Sequence, residues 1–172
     1  KKLLKPTLWS PASESNIALF EAEWEIRQKV ESIIPQDGVD DPKSLVMSPL
    51  VFVTWEDRGQ VLTGNGTKPL SGKLIHDALA TKDGSWKEIG GPEPWGRIKL
   101  AHTSPVLSNS GLQTLILLAS DYLPNKREVT LEDTRNPELV HFLGTIDDTI
   151  GKFGKSSSKL MTSLINYGPS QL

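Results

Sequence analysis

Apolar positions recur along much of this chain at the 3.6-residue period of a helix, and elsewhere they gather into short β-branched runs. The clearest helical stretch is 137–153, where Leu139, Phe142, Leu143, Ile146, Ile150 and Phe153 mark one face. Asn136 is placed to cap it, Pro137 suits the first helical position, and Gly154 can end it. Residues 14–34 carry Ile17, Phe20 and Trp24 at helical spacing, continued by Val30, Ile33 and Ile34, with Ser13 or Ser15 as cap. "KPLSGKLIHDALAT" predicts a short helix capped by Ser71, with Leu70 and Ile75 at staple spacing. A helix from about Leu112 to Tyr122 is apolar almost all round and therefore predicts a buried element. A last helix, about 157–167, turns Leu160, Met161, Leu164 and Ile165 inward and stops at Gly168-Pro169.

Two stretches predict strands. "SLVMSPLVFVTW" is apolar and β-branched without alternation, the pattern of a strand buried on both faces, with pairing interrupted at Pro49. "RIKLA" is the second. "PQDGVDDPK" is a turn-rich connector, and "DGSWKEIGGPEPWG" a long loop anchored by Trp86 and Trp95. Strands alternating with helices predict an α/β fold with a largely parallel sheet flanked by helices.

Composition narrows the function classes. With 37% hydrophobic and 23% charged residues and a formal net charge of -2, the chain reads as globular and lacks the concentrated positive charge that nucleic-acid binding needs. The longest apolar run, Leu115 to Ala119, is far short of the roughly 20 residues of a membrane helix. The absence of cysteine removes thiol nucleophiles, disulfides and cysteine-ligated metals. "KKLLKP" has the charge of a signal peptide's first region but no apolar segment after it, and the abrupt ends suggest an excised piece of something longer.

Most candidate chemistry fails on spacing. "GNGTKPLSGK" puts Thr67 where a phosphate-binding loop needs its first glycine, and Leu74 where it needs Ser or Thr. A triad of Ser110, His102 or His141 and an aspartate lacks the nucleophile elbow. His76, His102 and His141 are too dispersed to hold a metal. No catalytic residue, metal site or cofactor is expected.

"HTSPVLSNSG", His102 to Gly111, stands apart. It is a hydroxyl-rich turn between a predicted strand and a helix N-terminus, where unsatisfied N–H groups and the helix dipole favour an anion or polarised oxygen. Ser108, Asn109 and Ser110 add short donors, and Gly111 admits close backbone approach. From the residues alone two readings stay open: Ser108 or Ser110 only caps the helix, or the turn seats a ligand.

"WGRIKLAHTSPVLSNSGLQTLILLASDY" resembles the second-lobe segment of type II periplasmic (extracellular) solute-binding proteins, in the bacterial branch often joined to a von Willebrand factor A domain. Trp95, Gly96, Lys99, His102, Thr103, Pro105, Ser108, Ser110 and Gly111 match that branch's pattern; "LWSPASES" and "SLVMSPLVFVTW" resemble its ligand loop and crossing strand. The resemblance implies two α/β lobes with a ligand in the cleft between them. Residues 1–43 would be a remnant of the first lobe, and 44–172 the crossing strand and most of a second lobe truncated at its C-terminus. Ser10 and Ser13 would belong to the first-lobe wall, Ser48 would lie near the crossing strand, and Thr103, Ser108, Asn109 and Ser110 would form the second-lobe wall. The implied activity is non-catalytic binding of a small polar or anionic solute for uptake or sensing, outside the cell or in the periplasm. A membrane permease or a von Willebrand factor A domain would be partners, with any membrane anchor in segments outside this chain. The alternative is an interaction or sensing scaffold with no transported ligand.

Overall fold

A computed structural model of the chain describes residues 9–29, 34–35, 43–44, 46–126, 128–151 and 153–168. The chain divides into two compact units, Lys1–Pro49 and Leu50–Leu172.

In the first unit, helix α1 spans Glu14–Gln28. Ser13 takes the extended N-cap conformation, but its hydroxyl bonds the Asn16 Oδ1 at 3.2 Å and caps no backbone N–H. Lys29 ends α1 in the left-handed region, at φ 56°. The predicted continuation through Val30 and Ile33 lies outside the described residues. On one side of α1, Phe20 bridges Trp9 and Trp24 with ring centroids 5.1 and 5.9 Å apart.

The second unit contains α2 (Glu56–Thr63), α3 (Gly72–Leu79), α4 (Asn109–Tyr122), α5 (Pro137–Asp147) and α6 (Ser157–Tyr167). Local chemistry sets two of these starts as the sequence predicts. The Ser71 hydroxyl accepts from the Leu74 N–H at 3.1 Å, and the Asn136 carbonyl oxygen from the Glu138 N–H at 2.9 Å with Pro137 behind it. Helices α3, α4 and α5 pack on one another around Ile75, Leu79, Leu118, Ala119, Leu139, Phe142 and Ile146. Each buried Leu or Ile there contributes about 1.5–3 kcal/mol. Gly72 lets α3 meet α4, since a Cβ at that position would lie 2.7 Å from the Leu118 Cδ2. Helix α5 is shorter than the periodicity predicts: it ends at Asp147, and Ile150 stays buried in the turn that follows.

The predicted α/β architecture is overturned. Among the described residues there is no strand and no sheet; the periplasmic-binding-protein-like arrangement with a largely parallel sheet is not what this sequence forms, and the unit is helical. Residues 50–54 are extended, yet they make no backbone hydrogen bond among the described residues. Phe52 alone of these packs on the helical core, while Leu50, Val51 and Val53 are 41%, 66% and 52% exposed and Thr54 is exposed too. Ile98 and Leu100 also turn onto the core. Backbone pairing is confined to two isolated bridges, Ser85 with Arg97 (antiparallel) and Thr103 with Gly154 (parallel). A β-branched run states that side chains suit a pleated surface, not that a partner backbone lies alongside, and here none does.

The long loop closes on itself through two short 3-10 turns, Trp86–Ile89 and Glu93–Trp95. The rings of Trp86 and Trp95 meet edge to face at 5.5 Å, and the Arg58 guanidinium lies 4.4 Å from the Trp95 centroid.

Candidate functional site

The turn 102–111 is held by its backbone and by one glycine. The His102 carbonyl accepts from the Gly154 N–H at 3.0 Å, and the Ser104 N–H donates to the Gly154 carbonyl at 2.9 Å. A Cβ at Gly111 would overlap the Thr103 carbonyl oxygen and sit 2.7 Å from the Ser104 backbone, so only glycine lets the first turn of α4 press against the chain that precedes it.

That approach brings four hydroxyls together. Ser110 Oγ lies 2.9 Å from Thr103 Oγ1, 3.0 Å from Ser108 Oγ and 2.8 Å from Ser157 Oγ. Each hydroxyl has one proton, so three contacts among four hydroxyls occupy three protons and leave one for an outside acceptor. The Thr114 hydroxyl is engaged separately, donating to the Ser110 carbonyl at 2.8 Å.

The side-chain cap that one of the two readings expects at the start of α4 is not formed. Ser108 occupies the N-cap position of α4, but its side chain caps no N–H and turns to Ser110 instead. On α6 the capping task falls to Ser156, whose hydroxyl accepts from the Lys159 N–H at 3.4 Å, leaving Ser157 to reach across to Ser110. Ser110 and Ser157 sit in the first turns of α4 and α6, so two helix N-termini, each carrying partial positive charge, meet at one cluster. An anion there would relieve their mutual repulsion.

Three members of the cluster, Thr103, Ser110 and Ser157, line a cavity of about 240 Å³ within the second unit. Its walls include Val51, Val53, Leu117, Leu160 and Met161; Arg58, Lys99 and His102 also line it, and among the described residues no Asp or Glu does. His102 is buried with both ring nitrogens engaged: Nδ1 is 2.8 Å from the Thr103 carbonyl oxygen and Nε2 is 3.2 Å from Asp147 Oδ1. Its ring meets Phe153 edge-on at 5.0 Å. Both neighbours are acceptors, so this imidazole is turned toward structural partners and not toward the Ser110 hydroxyl.

The seven residues singled out by sequence are therefore distributed unevenly. Thr103, Ser108 and Ser110 come together in the hydroxyl cluster. Asn109 opens α4 beside them and has bonding partners of its own. Ser10, Ser13 and Ser48 belong to the first unit, where Ser10 and Ser48 are exposed and Ser13 bonds Asn16. Ser157 is the member that sequence reasoning missed. The triplet "SSS" opening the last predicted helix was its one visible signal, and its 47-residue separation from Ser110 hid the contact.

Two carboxylates of the second unit are held below their ordinary pKa. Burial is the largest single influence on Asp77 and raises its pKa, but hydrogen bonds and electrostatic attraction from Lys73 and His76 together outweigh it and hold the carboxyl below its ordinary value. Hydrogen bonds from the Thr81 side chain and from the Asp83, Ser85 and Gly84 backbone hold Glu88, in the loop beside the cavity, below the usual range.

Among the described residues, no group of three or more His, Asp or Glu is placed to hold a metal ion, and no helix is long and apolar enough to cross a membrane. No protein-family profile, curated protein or solved structure matches the chain.

Proposed function

We propose that residues 50–172 form a non-catalytic binding module that seats a small polar or anionic solute against the hydroxyls of Thr103, Ser108, Ser110 and Ser157. The observation that carries this reading is the convergence of those hydroxyls, with one proton to spare, where two helix N-termini open on a cavity. The engagement of both His102 nitrogens away from Ser110 favours binding over hydrolysis, because a nucleophilic serine needs a base within hydrogen-bond reach. The resemblance of "WGRIKLAHTSPVLSNSG" to solute-binding proteins supports a role in uptake or sensing, with a permease or a von Willebrand factor A domain as partner.

The test is thermal denaturation of the 172-residue chain with oxyanions, sugars and amino acids in large excess. At least one class should raise the melting temperature, since a ligand that binds only the folded state stabilises it by about 2.7 kcal/mol at a hundred times Kd. The rise should vanish in the double variant Ser110→Ala/Ser157→Ala. A panel that leaves the wild-type transition unmoved would overturn the reading.

A second reading, an interaction scaffold, draws on residues 50–54, which make no backbone–backbone hydrogen bond among the described residues and whose Val51 and Val53 are exposed. It expects a partner protein, and no small solute, to raise the melting temperature.

A further inference from the structure

We propose that the cavity beside Ser110 selects a small amphipathic anion: a compact apolar body, of the size of an aryl or branched alkyl group, carrying a single carboxylate or similar oxyanion head. This rests on the reading of the hydroxyl cluster as a ligand seat and names the class of ligand that the rest of the cavity fits.

Polarity is distributed unequally along the cavity walls. Ser110 holds the Thr103 and Ser157 hydroxyls at 2.9 and 2.8 Å, and Thr54 and Thr114 also line the cavity, while Val51, Val53, Leu117, Leu160 and Met161 supply apolar walls. A sugar placed there would turn hydroxyls toward those walls and lose their bonds to water without replacement. An inorganic oxyanion would satisfy the hydroxyl end and leave the apolar walls wet. An amino-acid zwitterion would need a partner for its ammonium group, and among the described residues no carboxylate lines the cavity. Arg58, which also pairs with Asp57 at 3.4 Å, and Lys99, which has a partner of its own, line the cavity. The first turns of α4 and α6 add partial positive charge at Ser110 and Ser157, which favours a negative head there.

Size agrees with this class. An apolar cavity of about 150 Å³ accepts benzene. The 240 Å³ here therefore holds a ring and a short acidic side arm, and little more. Leu117 and Met161 are 42% and 41% exposed, so an apolar ligand body would cover surface that now faces water.

The test is calorimetric titration of the 172-residue chain with sodium phenylacetate, sodium acetate, sodium phosphate and 2-phenylethanol. Phenylacetate should bind at least about tenfold more tightly than each of the others, because it alone engages both ends of the cavity. The variant Leu117→Glu should lose phenylacetate binding, while the near-isosteric Leu117→Gln, with folding of both checked by circular dichroism, should retain most of it. Equal affinity for acetate or phosphate would overturn the amphipathic assignment and leave the hydroxyl seat standing. Equal affinity for 2-phenylethanol would overturn the anionic part. If none of the four binds, the amphipathic-anion assignment is overturned, and the sugar and amino-acid arms of the thermal panel then decide whether the hydroxyl seat stands.

Discussion

The two ends of the second unit are built from similar apolar residues used in opposite ways. At the helical end, Leu118, Leu139 and Ile146 are at most 1% exposed and pack between α3, α4 and α5. At the cavity end, Val51, Val53 and Leu117 are 66%, 52% and 42% exposed, and residues 50–54 make no backbone–backbone hydrogen bond among the described residues. The first arrangement holds the fold together. The second spends apolar surface without burying it, which is what a surface waiting for a ligand or partner requires.

The sharpest way to break this contrast is to truncate one residue from each end. Ile146→Ala should cost about 2–5 kcal/mol in chemical denaturation, whereas Val53→Ala should stay within about 0.5 kcal/mol. Comparable losses would mean that the cavity end is part of the core. Next in size, Gly111→Ala should cost about 1–3 kcal/mol, because its Cβ meets backbone that must move. The same substitution should separate Ser110 from Thr103 and weaken ligand binding together with stability. A neutral Gly111→Ala would show that α4 does not depend on that close approach.

Smaller again, Ser110→Ala should change stability by about 0.5–1.5 kcal/mol, the net value of a hydrogen bond exchanged with water, while removing ligand binding. A stability loss on the scale of Ile146→Ala would make the hydroxyl cluster structural. The mildest effect concerns pH. The Glu88 pKa lies below its ordinary value in the folded chain, so its contribution is complete above the unfolded pKa and is lost as pH falls through the lowered folded one. The amide resonances of Asp83 and Ser85, which donate to Glu88 Oε2 at 2.9 and 3.5 Å, should therefore titrate below the ordinary glutamate range. Titration within that range would mean that the loop beside the cavity is not tied by this carboxylate.

The helical end was legible in the residues and the cavity end only partly. Asn136-Pro137 and Ser71 announce their helices because a cap is a local event, decided within four residues. The polar turn was also visible, since Thr103, Ser108 and Ser110 lie close in sequence and Gly111 marks a close approach. The sheet was misread because "LVFVTW" has the composition of a strand, while pairing depends on a neighbour that composition does not encode. Gly154 was misread in the same way: taken as a helix stop, it is the bridge partner of Thr103. Ser157 joins the cluster through that bridge, a long-range contact with no sequence periodicity to reveal it.

The central claim is that the first turns of α4 and α6 together seat a ligand. It is tested most directly by following the amide spectrum of the 172-residue chain as sodium phenylacetate is added. The account predicts that Thr103, Ser110 and Ser157 shift along one common saturating curve while Leu139 and Ile146 stay still, and that Ser110→Ala flattens the curve. Shifts that miss Ser110 and Ser157, or that survive Ser110→Ala unchanged, would contradict it.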